Sequence, residues 1–144
     1  MHRSTRTIGP VRRIMTALLL AVGLMAVSGV IAAPASAGVD ATGCTAYGCY
    51  GADGWGSGYG MWVSDGDKMW VCDSYPDGKS VAVMAVVEPG GPTIVKWHTT
   101  GANKCTERSF GNLPEGRLVV FFACLGNNLI VDESTCGDIK KAYA

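Results

Sequence analysis

The stretch from which the fold is read is Ser80-Val-Ala-Val-Met-Ala-Val-Val-Glu88, followed by Pro89-Gly90-Gly91-Pro92 and then Thr93-Ile-Val-Lys-Trp-His-Thr99. The first run is the longest β-branched segment in the chain, a composition that favours a pleated surface over a helix. The Pro/Gly cluster after it is a strong turn. Beyond the turn the residues alternate: Ile94, Lys96 and His98 share one face and Val95 and Trp97 the other, the period of a strand.

The same punctuation repeats on both sides. Met61–Ser64 ends at Asp65-Gly66-Asp67, and Lys68–Asp73 ends at Tyr75-Pro76-Asp77-Gly78. Cys105–Phe110 is a weaker strand. Arg117–Leu125 is a near-continuous apolar run, the composition of a central strand covered on both faces, and Gly126-Asn127-Asn128 turns it into Leu129–Asp132. About seven short strands without a convincing helix predict an all-β fold, a small antiparallel β-sandwich or partly open barrel. Trp62, Trp70, Trp97, Phe121 and Phe122 are expected in its core. The tail from Gly137 to Ala144 reads as at most one helical turn, with Ile139 its only aliphatic residue larger than alanine.

The N-terminal region has a different composition. Residues 1–37 carry a basic part ending in Arg12-Arg13, an apolar run from Ile14 to Ala33 and the small residues Ala35-Ser36-Ala37, the three parts of a secretory signal. Cleavage is expected after Ala37. A membrane anchor fits less well, because the run is rich in Ala and Gly, ends at Pro34 and is followed by no basic cluster. Ala41-Thr42-Gly43-Cys44 approaches a lipidation box, but Asp40 intervenes and five cysteines would remain.

The neutral balance of the whole chain, twelve Lys+Arg against twelve Asp+Glu in 144 residues, hides this division. Without residues 1–37 and their four arginines, 107 residues (144 − 37) keep eight basic (12 − 4) and twelve acidic side chains, a net charge of −4. An acidic domain without a basic stretch excludes nucleic acid and anionic membrane surfaces as partners. The expected protein is extracellular, monomeric and free of the membrane once the signal is removed.

Residues 38–60 hold eight glycines in twenty-three positions and read as a loop or arm preceding a β domain over residues 61–144. All six cysteines, Cys44, Cys49, Cys72, Cys105, Cys124 and Cys136, lie after the signal, and an even number in a small exported domain reads as three disulfides. Fifteen connectivities are open. Spacing favours Cys44–Cys49 as a local staple and Cys124–Cys136 across an apolar hairpin, which leaves Cys72 with Cys105. A zinc site is not indicated, because paired C-x-x-C knuckles are absent from the sequence and histidine is scarce.

Asp65-Gly66-Asp67-Lys68-Met69-Trp70-Val71-Cys72-Asp73 with Asp77-Gly78, then Asn112-Leu113-Pro114-Glu115-Gly116, Ala123-Cys124-Leu125-Gly126 and Cys136, resembles a group of small exported proteins common in actinomycetes. The resemblance covers roughly residues 60–137. It implies a β-rich, disulfide-bonded fold with pairs Cys72–Cys105 and Cys124–Cys136, and it implies no activity.

Chemistry-bearing patterns are sparse. His98 is the only histidine after the signal, and no G-x-S-x-G motif or free cysteine accompanies it. Glu88, Glu107, Glu115 and Glu133 show no pairing across a cleft. The Asp65-Gly66-Asp67 turn, with Asp73 or Asp77-Gly78, offers hard oxygen ligands suited to calcium, but Asp-Gly is also ordinary hairpin chemistry, so neither a metal nor another cofactor is assigned. The remaining signal is aromatic. Trp55 and Tyr59 in the Gly-rich arm, with Tyr47 and Tyr50 beside the Cys44–Cys49 loop, either cap the sandwich edge or present rings to a ligand. The expected function is a non-catalytic binding module for an extracellular glycan or protein, with an enzyme inhibitor or toxin as the alternative and a small hydrolase behind both.

Overall fold

The computed structural model describes residues 38–144, so the secretory signal assigned to residues 1–37 lies outside the described residues. Nine strands follow in order: β1 (Ala41–Cys44), β2 (Gly58–Val63), β3 (Lys68–Asp73), β4 (Ser80–Val87), β5 (Thr93–His98), β6 (Lys104–Ser109), β7 (Leu118–Asn127), β8 (Ile130–Asp132) and β9 (Lys140–Tyr143). Two single 3-10 turns, Gly51–Asp53 and Glu133–Thr135, are the only helical pieces among the described residues.

The strands form two antiparallel sheets packed as a small sandwich that does not close into a barrel. The first sheet runs β1-β2-β3-β6; the second runs β5-β4-β7, and the far edge of β7 is shared by β8 and β9. Because β7 is ten residues long, its end near Leu125 pairs with β8 while its start near Leu118 pairs with β9. Two contacts tie the sheets at their rims. Val39 and Tyr143 exchange backbone hydrogen bonds of 3.0 and 3.1 Å, and on the opposite rim the Arg108 guanidinium donates twice to Trp97 O. Asp40 clamps β1 to the end of β2, accepting both the N–H and the hydroxyl of Ser64, and these bonds lower its pKa.

Between the sheets lie Trp62, Met69 and Val71 from the first, and Val81, Val83, Val119, Phe121 and Leu125 from the second, all essentially solvent-free. Trp62 can be buried because its indole N–H donates to Tyr143 O at 3.2 Å.

The Gly-rich segment departs from the expected loop, since it supplies all of β1 and the first half of β2. The reason is steric. Gly58 and Gly60 occupy inward positions of β2, where an added Cβ would run into Val81 and Val83 respectively; Gly43 of β1 similarly faces Phe121. Glycine here leaves room for the large side chains of the opposite sheet, so entropy lost in the strand is offset by close packing.

Three further expectations are corrected. The tail is not helical but forms β9, whose inward Ala142 is fully buried. The β7–β8 turn sits at Asn128-Leu129, both at positive φ (49° and 63°), one register later than Gly126-Asn127-Asn128. Of the five aromatics expected inside, Trp62 and Phe121 are buried, whereas Trp70, Trp97 and Phe122 lie half-buried on the outer faces. The last three fall at the opposite parity of their strands, where the alternation points outward.

Candidate binding site

The disulfides join Cys44 to Cys49, Cys72 to Cys105 and Cys124 to Cys136, and among the described residues no free cysteine exists. Cross-links of this number belong to an oxidising compartment. Among the described residues no helix is long and apolar enough to cross a membrane.

Cys44–Cys49 starts a loop that runs to Ser57, and the loop is held by polar contacts rather than by a core. The hydroxyl of buried Thr45 donates to Gly56 O at 2.6 Å. Asp53 Oδ2 accepts the N–H groups of Cys49 (2.9 Å) and Tyr50 (2.8 Å), and Asp77 Oδ2 accepts Gly56 N–H at 2.9 Å. Further out, Ala46 N–H reaches Thr135 O and Ser74 N–H reaches Ser57 O. A glycine-dense loop fixed in this way is a rigid mount for side chains.

The side chains it mounts are the aromatics. Tyr47 and Trp55 meet edge-to-face with centroids 4.7 Å apart, and Tyr50 meets Tyr59 of β2 at 5.5 Å. The pairs do not sink into the sandwich: Tyr47, Tyr50 and Trp55 stay 41, 60 and 49% exposed. Gly56, at φ +79°, is required beneath Tyr47, whose ring fills the space a Cβ would take.

Tyr50 and Tyr59 line a cleft of about 250 Å³ on the outer face of the first sheet, together with the Cys72–Cys105 disulfide, Asn103 and Lys104; Asp73, which pairs with inward Gly58, turns its side chain to the other face of the strand. A neighbouring cleft, lined by Tyr75, Lys79 and Thr99, reaches Asp73. Asp73 is only 5% exposed. Its Oδ1 accepts Tyr75 N–H at 3.2 Å, and among the described residues no basic side chain lies within ion-pair distance of it. Burial therefore raises its pKa above the ordinary carboxylate range; the Tyr75 bond opposes this, nearby Asp77 adds to it, and His98 weakly opposes it.

The other singled-out residues lie elsewhere or are occupied. His98 is buried, with Nε2 2.8 Å from Gly101 O and Nδ1 2.7 Å from the Thr106 hydroxyl. A carbonyl only accepts, so in the neutral ring Nε2 carries the proton and Thr106 donates to Nδ1. Asp67 Oδ2 accepts Leu113 N–H at 2.6 Å while Asp65 is exposed, and among the described residues no three metal-ligating side chains gather. Glu88 accepts Gly90 N–H, and Glu107 lies 3.9 Å from Lys68 across the first sheet.

Asn103 and Lys104 stand in no motif of the sequence, and Asp73 stands there only as a candidate calcium ligand. A signal did exist: Asp73 follows Cys72 and Lys104 precedes Cys105, so the disulfide that pairs the cysteines also places Asp73 opposite Lys104.

Fold and site together define a small disulfide-braced β-sandwich with a rigid, aromatic-walled cleft at one end. No protein-family model, curated protein or solved structure matches the chain.

Proposed function

We propose that this chain is an exported, non-catalytic binding module that takes a carbohydrate in the cleft between Tyr50, Tyr59 and Lys104. One observation carries the reading: the exposed Tyr50 ring, on a rigid loop and packed against Tyr59, lines a cleft with Asn103 and Lys104. A sugar ring offers an apolar C–H face to stack on tyrosine and hydroxyls to accept from Lys104 and Asn103. Export is supported by the basic–apolar–small order of residues 1–37 and by the three disulfides. The non-catalytic part of the reading is supported by His98, whose ring nitrogens are both engaged by Thr106 and Gly101.

The test is titration of the isotope-labelled protein with neutral gluco-, xylo- and chito-oligosaccharides, followed by amide chemical shifts. Shifts concentrated at Tyr50, Tyr59, Asp73 and Lys104, weakened about tenfold or more by Tyr50→Ala, are expected. Absence of saturable shifts in that cleft with every series refutes the reading. The inhibitor alternative is favoured by the exposed Leu129-Ile130 tip of the hairpin that Cys124–Cys136 closes. It predicts inhibition of co-secreted hydrolases that Leu129→Asp abolishes and Tyr50→Ala leaves intact.

A further inference from the structure

We infer that the outer face of the second sheet is the interface of a two-fold dimer of this chain. An antiparallel sheet covered on one side alternates apolar and polar residues, whereas β4 and β7 are apolar at almost every position. Their inward residues fill the core. Their outward residues, Met84 and Val86 of β4 and Val120 and Phe122 of β7, remain half-buried and continue into Val95 and Trp97 of β5. Val95 is 39% exposed, and Ile139, beside a groove of about 370 Å³ over Met84 and Phe122, is 64% exposed. Composition calls for a second covering layer, and among the described residues only the Glu133–Ile139 segment supplies part of one.

Charge identifies the occupant. Residues 38–144 carry a net −4, yet no ionisable side chain occupies an outward position of β4, β5 or β7 within these runs. The strands of two acidic copies therefore meet without opposing like charges, the acids Glu133 and Asp138 lying beside the face and not on its strands, and an isologous contact needs a patch complementary only to itself. Selection of an unlike protein relies on charges or polar groups that this face lacks. Strands about 4.8 Å apart and some six residues long give a projected patch on the order of 300–400 Å², a suitable apolar centre for an interface of about 800 Å² per partner with a polar rim. The rim carries both signs, Glu133 and Lys141. Association through the β5 edge is disfavoured, because Arg108 already occupies Trp97 O there.

The experiment is sedimentation equilibrium of the purified protein, disulfides intact, from micromolar to millimolar concentration, for wild type, Val95→Lys and Ile139→Lys. A reversible wild-type dimer is expected, weakened about tenfold or more in each variant, since a two-fold axis presents the new charge twice. Ile139 lies in an exposed loop, so its variant reports on association even where Val95→Lys fails to fold. A wild type that stays monomeric overturns the inference, whether or not it partitions onto neutral phosphatidylcholine vesicles, and so does a dimer as tight in Ile139→Lys as in wild type.

Discussion

Replacing Gly60 by alanine isolates the packing that turns a glycine-rich segment into a strand. Gly60 is not among the residues at positive φ, so a side chain introduces no backbone strain. The added Cβ instead meets a methyl of Val83 and comes within 3.3 Å of Met69 Sδ. Overpacking of this kind costs about 1–3 kcal/mol, against which alanine restricts the unfolded chain by about 0.4–1 kcal/mol. The net expectation is a loss of about 1–2 kcal/mol, or roughly 5–15 °C in Tm for a domain of this size. Thermal unfolding of Gly60→Ala, Val83→Ala and the double variant forms the assay. Val83→Ala alone leaves a cavity, and combining it with Gly60→Ala partly refills that space, so the double variant should lose about 1 kcal/mol less than the sum of the singles. A fully additive cycle, or a Gly60→Ala protein as stable as wild type, refutes the claim that Gly60 exists to admit Val83.

Three other outcomes rest on features of the same fold. Leu129 holds a φ of +63° at the β7–β8 turn, so Leu129→Gly is expected to stabilise the fold by about 1 kcal/mol in chemical denaturation; a loss there would contradict the strain. Removing disulfides singly should destabilise in order of sequence separation, 33 for Cys72–Cys105, 12 for Cys124–Cys136 and 5 for Cys44–Cys49, by about 4, 3 and 2 kcal/mol in the chain-entropy model. Asp73 has a folded-state pKa above its unfolded one, so its ionisation costs stability that is absent at acid pH, grows as pH rises through the carboxylate range and is complete above the raised value. Asp73→Asn should accordingly have a higher Tm than wild type near neutral pH, with the difference shrinking on acidification; a constant difference across pH would show that ionisation is not its source.

The parts of the fold visible in the sequence are those whose side chains carry the signal. Ser80–Glu88 and Thr93–Thr99 declared themselves by β-branched and alternating residues around a Pro-Gly turn, and β4 and β5 lie there. Strands β1 and β9 and the first half of β2 were hidden because their inward positions hold the smallest residues, Gly43, Gly58, Gly60 and Ala142, so hydrophobic alternation vanishes where packing is closest. A trace of period two remained in Gly58 and Gly60, readable as an inward glycine face once the opposite sheet is known. The aromatic half of the cleft was legible, since Tyr50 and Tyr59 have no obvious place in a glycine-rich arm. Its polar half was not, because Lys104 joins it only through strand register.

The positions that violate local rules are unevenly placed. Inside, the polar groups are nearly all satisfied; among the described residues only Ser57 Oγ and Arg117 Nε are buried without a partner. The conspicuous violations lie on the surface or at its clefts: an uncompensated carboxylate at Asp73, a left-handed leucine exposed at the tip of β7–β8, and an uncharged outer face on β4, β5 and β7. Each disfavours the isolated domain, and each has a natural remedy in contact, as a ligand hydroxyl for Asp73, a partner surface for Leu129 and a second copy for the sheet face. A core this small tolerates them because three cross-links restrict the unfolded chain. Reduction should therefore unfold the domain, and in a titration with reductant followed by circular dichroism and ligand binding, loss of binding should coincide with loss of the fold.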